Sequence, residues 1–172
     1  MQTLKPFNFQ RWIDEHRHLL QPPVCNKQVF EDTDFIVMVV GGPNARRDFH
    51  YDEGEELFYQ LEGDMTLHTI RDGEREAISI RSGEMLLLPP RVPHSPQRYA
   101  DTVGLVVERK RRPDEKDGFQ WYCDECNALL YEEYLHIANI ETDLPPVLAR
   151  YDKLIAGTPC PKCQTPAPAN DD

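Results

Sequence analysis

The sequence lacks long hydrophobic runs and has few basic residues. No apolar stretch approaches the ~20 residues of a membrane-spanning helix. The first residues carry no apolar segment followed by a small-residue cleavage site, so we expect no secretory signal. Lysine and arginine number 19 against 30 aspartates and glutamates, and the formal net charge is −11. A surface this acidic repels phosphate backbones and anionic membranes, so we expect neither nucleic acid nor a membrane as a partner.

Cysteine is scarce too, but its spacing is informative. Four of the five cysteines form two Cys-x-x-Cys pairs, Cys123 with Cys126 and Cys160 with Cys163. In a reducing compartment such pairs are metal ligands or redox motifs more often than disulfides. We therefore predict a cytoplasmic protein whose four thiolates bind one structural metal ion, for which zinc and iron are both suitable. A redox disulfide is the weaker alternative, because neither pair follows a thioredoxin-like βαβ pattern.

Hydrophobic periodicity predicts one helix followed by a series of strands. Asn8 is a good N-cap, and apolar residues at helical spacing follow it as far as Leu20. After Phe30 the pattern changes to short strands separated by turn signals, among them Asp72-Gly73. The predicted strands cover residues 35–40, 57–61, 65–70, 77–80, 85–88 and 103–107. Short strands without intervening helices predict an all-β protein, either a barrel or a double-sheet jelly roll.

Two segments after these strands have no predicted regular structure. The basic run at residues 109–112 is followed at once by acidic residues, so we interpret it as a solvated linker and not as a nucleic-acid patch. The tail after Cys163 is rich in proline and polar residues, and its composition predicts disorder.

Two histidines and one glutamate form the candidate catalytic site. His50 and Glu56 lie six positions apart, and His94 follows a proline-rich segment after the strand at 85–88. Two imidazoles and one carboxylate are the ligand set of an open non-haem Fe(II) centre. The same set also serves catalytic zinc. Glu55 competes with Glu56 for the inward position, because adjacent strand residues face opposite sides.

Longer motifs surround these candidate ligands. They are Gly41-Gly-Pro-Asn-x-Arg46-x-Asp-x-His50, Glu56-x-Phe-Tyr-Gln60, Leu88-Pro-Pro-x-Val-Pro-His94-Ser-Pro-Gln-Arg98, Val107-Glu108-Arg and Trp121-Tyr-Cys123. The first and third resemble the two cupin motifs, although Asp48 stands where most cupins have another metal histidine. Taken together, the motifs resemble the 3-hydroxyanthranilate 3,4-dioxygenase family, from about Phe7 to Cys163.

The resemblance implies a fold and a division of the chain. Residues 1–112 would form a cupin (jelly-roll) barrel with an N-terminal helix and the catalytic metal site. Residues 113–172 would form a C-terminal extension with a small rubredoxin-like metal lobe. Bacterial and fungal members of the family carry such a four-cysteine site, which is assigned to iron. Homodimers are common in this fold family, so we also expect a homodimer.

The resemblance also implies roles for the site residues. The ligands of a catalytic Fe(II) ion would be His50, Glu56 and His94. Arg98 and Glu108 would bind and act on the substrate, which Glu56 would also contact. Arg46 would lie beside the O2 site, with Arg47 as the competing inward arginine.

The implied reaction opens an aromatic ring. The family converts 3-hydroxyanthranilate, a small aromatic acid, and O2 to 2-amino-3-carboxymuconate semialdehyde. This product cyclises to quinolinate, a precursor of NAD on the kynurenine route.

Two other functions remain open from the residues alone. One is a zinc- or manganese-dependent cupin isomerase or hydrolase acting on a small acidic substrate. The other is a non-enzymatic module whose cysteine lobe recruits protein or nucleic acid, which the acidic composition opposes.

Overall fold

The computed structural model describes residues 5–22, 25–137 and 140–170, except for the side chains of residues 140 and 141. Helix α1 (Phe9–His16) continues into a 3-10 turn (Arg17–Leu19), and helix α2 (Ile140–Leu154) lies near the C-terminus. The strands between them are β1 (Asn26–Gln28), β2 (Phe35–Gly41), β3 (Phe49–Tyr51), β4 (Glu56–Glu62), β5 (Met65–Arg71), β6 (Glu74–Ile80), β7 (Met85–Leu88), β8 (His94–Arg98), β9 (Val103–Arg109), β10 (Asp117–Tyr122) and β11 (Leu129–Leu135). No helix among the described residues is long and apolar enough to cross a membrane.

The strands form two antiparallel sheets with the main core between them. One sheet has the order β1-β2-β9-β4-β7 and the other β11-β10-β3-β8-β5-β6. Inward side chains of both sheets make up the core, which includes Phe58 and Val106 from the first and Leu67 and Ile80 from the second. Because side chains alternate along a strand, the inward face of β4 carries Glu56 and Gln60 on either side of Phe58. This arrangement is the predicted all-β cupin barrel.

The N-terminal helix covers part of the outer face of the first sheet. The Asn8 side chain accepts the N–H of Arg11 at 2.8 Å, as predicted for an N-cap. Ile13 is fully buried and packs in one cluster with Val39 and Val103 of the sheet. The predicted hairpin turn after β5 is confirmed, since Asp72 and the following glycine both have positive φ angles.

The sheet continues past the point where the sequence analysis divides the chain. β10 pairs with β3, and β11 pairs with β10, so both extend the six-stranded sheet. The division at residues 112 and 113 stays a prediction. Helix α2 packs against these strands, where the Tyr151 ring stacks on Trp121 with 4.5 Å between centroids. This helix was not predicted because Pro145 and Pro146 lie inside it.

The prediction of disorder for the C-terminal tail is wrong for residues 164–170. Tyr151 donates its hydroxyl to the Pro168 carbonyl at 2.6 Å, and the Trp121 indole N–H donates to the Asn170 side chain at 2.9 Å. Ala167 is buried. Partners that are distant in the sequence therefore order a segment that its composition alone would leave disordered. Residues 171 and 172 lie outside the described residues.

Candidate active site

The three candidate metal ligands converge between the two sheets. His50 lies on β3, Glu56 opens β4 and His94 opens β8. His50 and His94 are direct partners in the antiparallel register. One ligand atom from each of the three side chains lies within 4.8 Å of the other two. Glu55 is exposed, so Glu56 is the inward carboxylate of the two.

The donor atoms fit a divalent metal ion. The His94 Nδ1–H donates to the Val92 carbonyl at 3.0 Å, which leaves Nε2 with its lone pair free to bind a metal. That Nε2 lies 2.8 Å from Glu56 Oε2, a buried oxygen that has no hydrogen-bond partner among the described residues. Adjacent ligands of one ion, with bonds of about 2.1 Å, lie about 3 Å apart. Burial alone would raise the pKa of Glu56, but protonated His94 and His50 together with the Arg111 guanidinium lower it to about 2, so the carboxylate is charged and suits a cation.

The third ligand, His50, is held by a buried carboxylate. Its Nε2 lies 2.7 Å from Asp117 Oδ1, and its ring stacks on Phe119 with 5.5 Å between centroids. His50, Asp52 and Asp117 also lie close enough together to bind a metal ion. However, the Arg111 guanidinium lies 3.0 Å from Asp52 and 2.8 Å from Asp117. Both carboxylates therefore already have a cationic partner in the protein, whereas Glu56 Oε2 has no hydrogen-bond partner among the described residues, so the first cluster is the better metal site.

Arg98 is a buried cation without an acidic partner. Its side chain is inward on β8 and the residue is only 4% exposed. Nη1 donates to Gln60 Oε1 at 3.1 Å, and no described carboxylate lies within 4.0 Å of the guanidinium. Burial therefore lowers the pKa of Arg98 to about 10, even though the charge of Glu56 acts in the opposite direction. Gly104 makes room for the side chain, since a Cβ atom there would lie 2.3 Å from Nη1.

Glu108 lies directly beside the metal ligands. It is the register partner of Glu56 on the neighbouring strand and is itself buried. Arg111 Nη1 donates to Glu108 Oε1 at 2.7 Å. Burial, together with the negative charge of Glu56, raises the pKa of Glu108 despite this ion pair. A carboxylate with a raised pKa beside a metal site is a candidate general base.

Of the two adjacent arginines, Arg46 is the one near the candidate ligands. It forms an ion pair with the buried Asp48, and the charge of Glu56 also contributes to raising its pKa against the effect of burial. Arg47 instead pairs with Asp124 at 3.1 Å. The structure thus brings together the residues predicted for the site: Arg46, His50, Glu56, His94, Arg98 and Glu108.

Comparisons with known proteins show which family the chain belongs to. The sequence model of the 3-hydroxyanthranilic acid dioxygenase family matches residues 1–152. The chain belongs to this family. A 3-hydroxyanthranilate 3,4-dioxygenase of Xanthomonas euvesicatoria pv. vesicatoria is 56% identical over 160 residues, which cover 93% of this chain and 90% of that protein. One from Burkholderia cenocepacia is 51% identical over 160 residues, covering 92% and 90%. A solved cupin-2 domain-containing protein from Shewanella frigidimarina is 19% identical, with a TM-score of 0.46, covering 58% of this chain and 92% of that chain.

This member of the 3-hydroxyanthranilic acid dioxygenase family also brings its four cysteines together. The Sγ atoms of Cys123 and Cys163 lie 3.5 Å apart, and those of Cys126 and Cys160 lie 3.7 Å apart. A tetrahedral ion with bonds of about 2.3 Å separates its sulfur ligands by about 3.8 Å. A disulfide would bring them to about 2.05 Å. The distances therefore fit one tetrathiolate metal ion and not two disulfides.

The two cysteine pairs have the same backbone geometry. In the first, the N–H of Asn127 donates to the carbonyl of Cys123 at 3.0 Å, and Asn127 has a φ of 54°. In the second, the N–H of Gln164 donates to the carbonyl of Cys160 at 2.9 Å, and Gln164 has a φ of 67°. Two matching turns that face each other are the arrangement of metal knuckles.

Sequence reasoning missed three residues of the site in this family member. The interpretation of residues 109–112 as a solvated linker is wrong for Arg111, which is 11% exposed and lies among carboxylates. Asp117 and Phe119, which contact His50, were also missed. The alternation of Asp117 and Phe119 before Trp121 is a strand signal that could have indicated an inward face. No local signal distinguishes Arg111 from its basic neighbours.

Proposed function

We propose that the protein is an Fe(II)-dependent dioxygenase that opens the ring of 3-hydroxyanthranilate. Both atoms of O2 enter the product, 2-amino-3-carboxymuconate semialdehyde. Membership of the dioxygenase family supports the reaction class. The observation that carries the substrate assignment is Arg98, a buried cation without an acidic partner among the described residues. A site that holds such a cation beside a metal triad suits an anionic ligand.

His50, Glu56 and His94 would hold the ion on one side and leave other positions free. Fe(II) bound there supplies the electron transfer that lets O2 react with the electron-rich ring of the substrate. The unpartnered Glu56 oxygen and the His94 lone pair support these ligands. Direct contact between Glu56 and the substrate stays a prediction.

Arg98 would bind the carboxylate of the substrate. The planar guanidinium can donate two parallel hydrogen bonds to a carboxylate, each worth about 1.5–3 kcal/mol. Gln60 holds one end of the guanidinium through the 3.1 Å hydrogen bond to Nη1. The side chain is therefore oriented before substrate arrives, which reduces the entropy lost on binding.

Glu108 would accept a proton from the hydroxyl or amino group of the substrate. Its raised pKa makes it a stronger base than an ordinary carboxylate. Its position beside Glu56 in the register supports contact with a substrate bound at the triad.

Arg46 would lie beside O2, where its positive charge stabilises the negative charge that develops as O2 accepts electrons. The ion pair with Asp48 orients the Arg46 side chain.

The cysteine cluster would hold iron or zinc in a structural role. All four ligand positions are occupied by protein, which leaves no open position for a substrate.

The cytoplasmic location and the use of the product in quinolinate and NAD synthesis stay predictions.

A homodimer is supported by an exposed apolar surface on the first sheet. Phe35, Met85 and Leu87 point away from the barrel interior and are 63%, 61% and 56% exposed. A second copy covering this surface would remove it from water, because exposed apolar patches commonly mark interfaces.

One experiment tests the proposed reaction. The protein is loaded anaerobically with Fe(II) and mixed with 3-hydroxyanthranilate in air, while O2 uptake and the absorbance of the ring-opened product are followed. We expect one O2 consumed per substrate, and no turnover by the zinc-loaded protein. No O2 uptake with Fe(II), combined with loss of substrate without O2 uptake in the zinc- or manganese-loaded protein, would instead favour a cupin isomerase or hydrolase.

A further inference from the structure

One arginine connects the candidate base to the elements that carry the metal ligands. The Arg111 side chain is only 11% exposed. Its Nη1 donates to Glu108 at 2.7 Å, and its Nη2 lies 2.8 Å from Asp117 and 3.0 Å from Asp52. Its Nε donates to Asp117 as well, at 3.0 Å. The guanidinium thus uses all three nitrogens on three buried carboxylates.

The three carboxylates differ in how much they depend on Arg111. Asp117 also contacts His50 at 2.7 Å, and Asp52 also accepts the N–H of Gly54 at 2.7 Å. For Glu108, Arg111 is the single hydrogen-bond donor among the residues that the structure describes. Without Arg111, the Glu108 carboxylate would keep its burial but lose the group that fixes its direction.

Two of these carboxylates hold chain segments that carry the candidate metal ligands. Asp117 holds the ring of His50, and the Asp52–Gly54 contact shapes the loop between His50 and Glu56. A guanidinium is rigid and planar, so its bonds to Asp117 and Glu108 fix the distance between the two. The direction of Glu108 is therefore tied to the position of the ligands.

We propose that Arg111 is a positioning residue that aims the Glu108 carboxylate at the substrate. This inference rests on the proposed function, in which Glu108 acts on the substrate. Arg111 itself does not touch the reacting atoms. Lysine cannot replace it fully, because an ammonium group cannot span Asp52, Asp117 and Glu108 in a fixed plane.

The test is a double-mutant cycle between Arg111 and Glu108. Single variants Arg111→Gln and Glu108→Gln are compared with the double variant, and Arg112→Gln is the matched control. Arg112 is the adjacent arginine, and its side chain is 72% exposed. Two quantities are measured: kcat of the Fe(II)-loaded protein, and the Kd of 3-hydroxyanthranilate by anaerobic calorimetry on the zinc-loaded protein. The metal content of each variant and its Tm are recorded as well.

We expect Arg111→Gln to lower kcat by about 10- to 100-fold, the range that outer-sphere partners of metal sites show. The zinc and iron contents should stay at the wild-type level, and Arg112→Gln should change kcat by less than about twofold. In the Glu108→Gln background, Arg111→Gln should change kcat and Kd by less than about twofold, since the group that it aims is already gone. The kcat of Arg111→Lys should lie between those of the wild type and Arg111→Gln.

Full additivity of the two substitutions in both kcat and Kd would overturn the proposal, because Arg111 would then act independently of Glu108. If Arg111→Gln does not fold, the same cycle with Arg111→Lys decides the question. The proposed role of Glu108 fails separately, if Glu108→Gln alone keeps wild-type kcat and Kd.

Discussion

Replacing Arg98 should lower the activity of the protein without lowering its stability. At neutral pH the wild-type protein holds a charged guanidinium in a buried position without an acidic partner. Lowering the pKa of this guanidinium from its ordinary value to about 10 corresponds to a cost of roughly 3 kcal/mol for the folded state. Because the folded-state pKa lies below the unfolded one, this cost applies in full at every pH below about 10.

The variant Arg98→Met removes the charge while keeping most of the side-chain volume. It also leaves Gln60 Oε1 without its donor, which costs about 1–3 kcal/mol. The free energy of unfolding should therefore stay unchanged or rise by up to about 2 kcal/mol, and Tm should not fall. If Arg98 binds the substrate carboxylate as proposed, the same variant would lose two charge-assisted bonds, so kcat/KM for 3-hydroxyanthranilate should fall by roughly 10²- to 10⁴-fold.

A second substrate, which lacks the carboxylate, tests whether the loss of activity depends on that group. 2-Aminophenol keeps the adjacent amino and hydroxyl groups but has no carboxylate, so Arg98→Met should change its kcat/KM by less than about threefold. The exposed Arg91, which pairs with Glu53 on the surface, provides the control variant Arg91→Met. Thermal unfolding followed by circular dichroism measures Tm. The reasoning is refuted if Arg98→Met still prefers the carboxylated substrate as strongly as the wild type does.

Three further predictions follow from the same geometry. Gly104→Ala should raise KM by about tenfold or more and lower Tm, because the new Cβ would displace the Arg98 guanidinium from its hydrogen bond with Gln60. Steady-state kinetics with both substrates checks this, and an equal loss on 2-aminophenol would contradict it. Glu108→Gln should keep its iron and lose turnover by about 10²-fold or more, whereas His50→Ala should lose the catalytic iron, as metal analysis of the two variants would show. Cys123→Ser should release the metal of the cysteine cluster and lower Tm before it changes the chemistry, and a variant with wild-type Tm and slow turnover would contradict a structural role.

Strands could be predicted from the sequence wherever apolar side chains face the core. The strands at residues 35–40 and 57–61 have strong apolar patterns, and the structure extends each by only a residue or two. The short strand β3 and the polar strand β8 carry ligands in place of apolar residues, so periodicity does not reveal them. Helix α2 was hidden by its two internal prolines. Functional residues thus weaken the very pattern that predicts secondary structure.

The candidate metal ligands could be proposed from the sequence because each belongs to a local motif. The supporting residues could not, since their roles depend on contacts across long stretches of chain. Asp117 meets His50 from 67 residues away, and Gln60 meets Arg98 from 38 residues away. Arg111 has basic neighbours on both sides, and only the tertiary structure shows that its side chain is the least exposed of its run.

Three arginines near one acidic cluster show how the same side chain can serve different purposes. Arg46 has Asp48 as its partner, and Arg111 has three carboxylates, so the pKa of each is raised even though burial acts to lower it. Both guanidinium groups therefore already have carboxylate partners in the protein, which a substrate carboxylate would have to compete with. Arg98 has a neutral amide as its partner, and its pKa is lowered. An incoming carboxylate can therefore gain a full ion pair only at Arg98, which is why this arginine, and not the other two, should determine the selectivity for an acidic substrate.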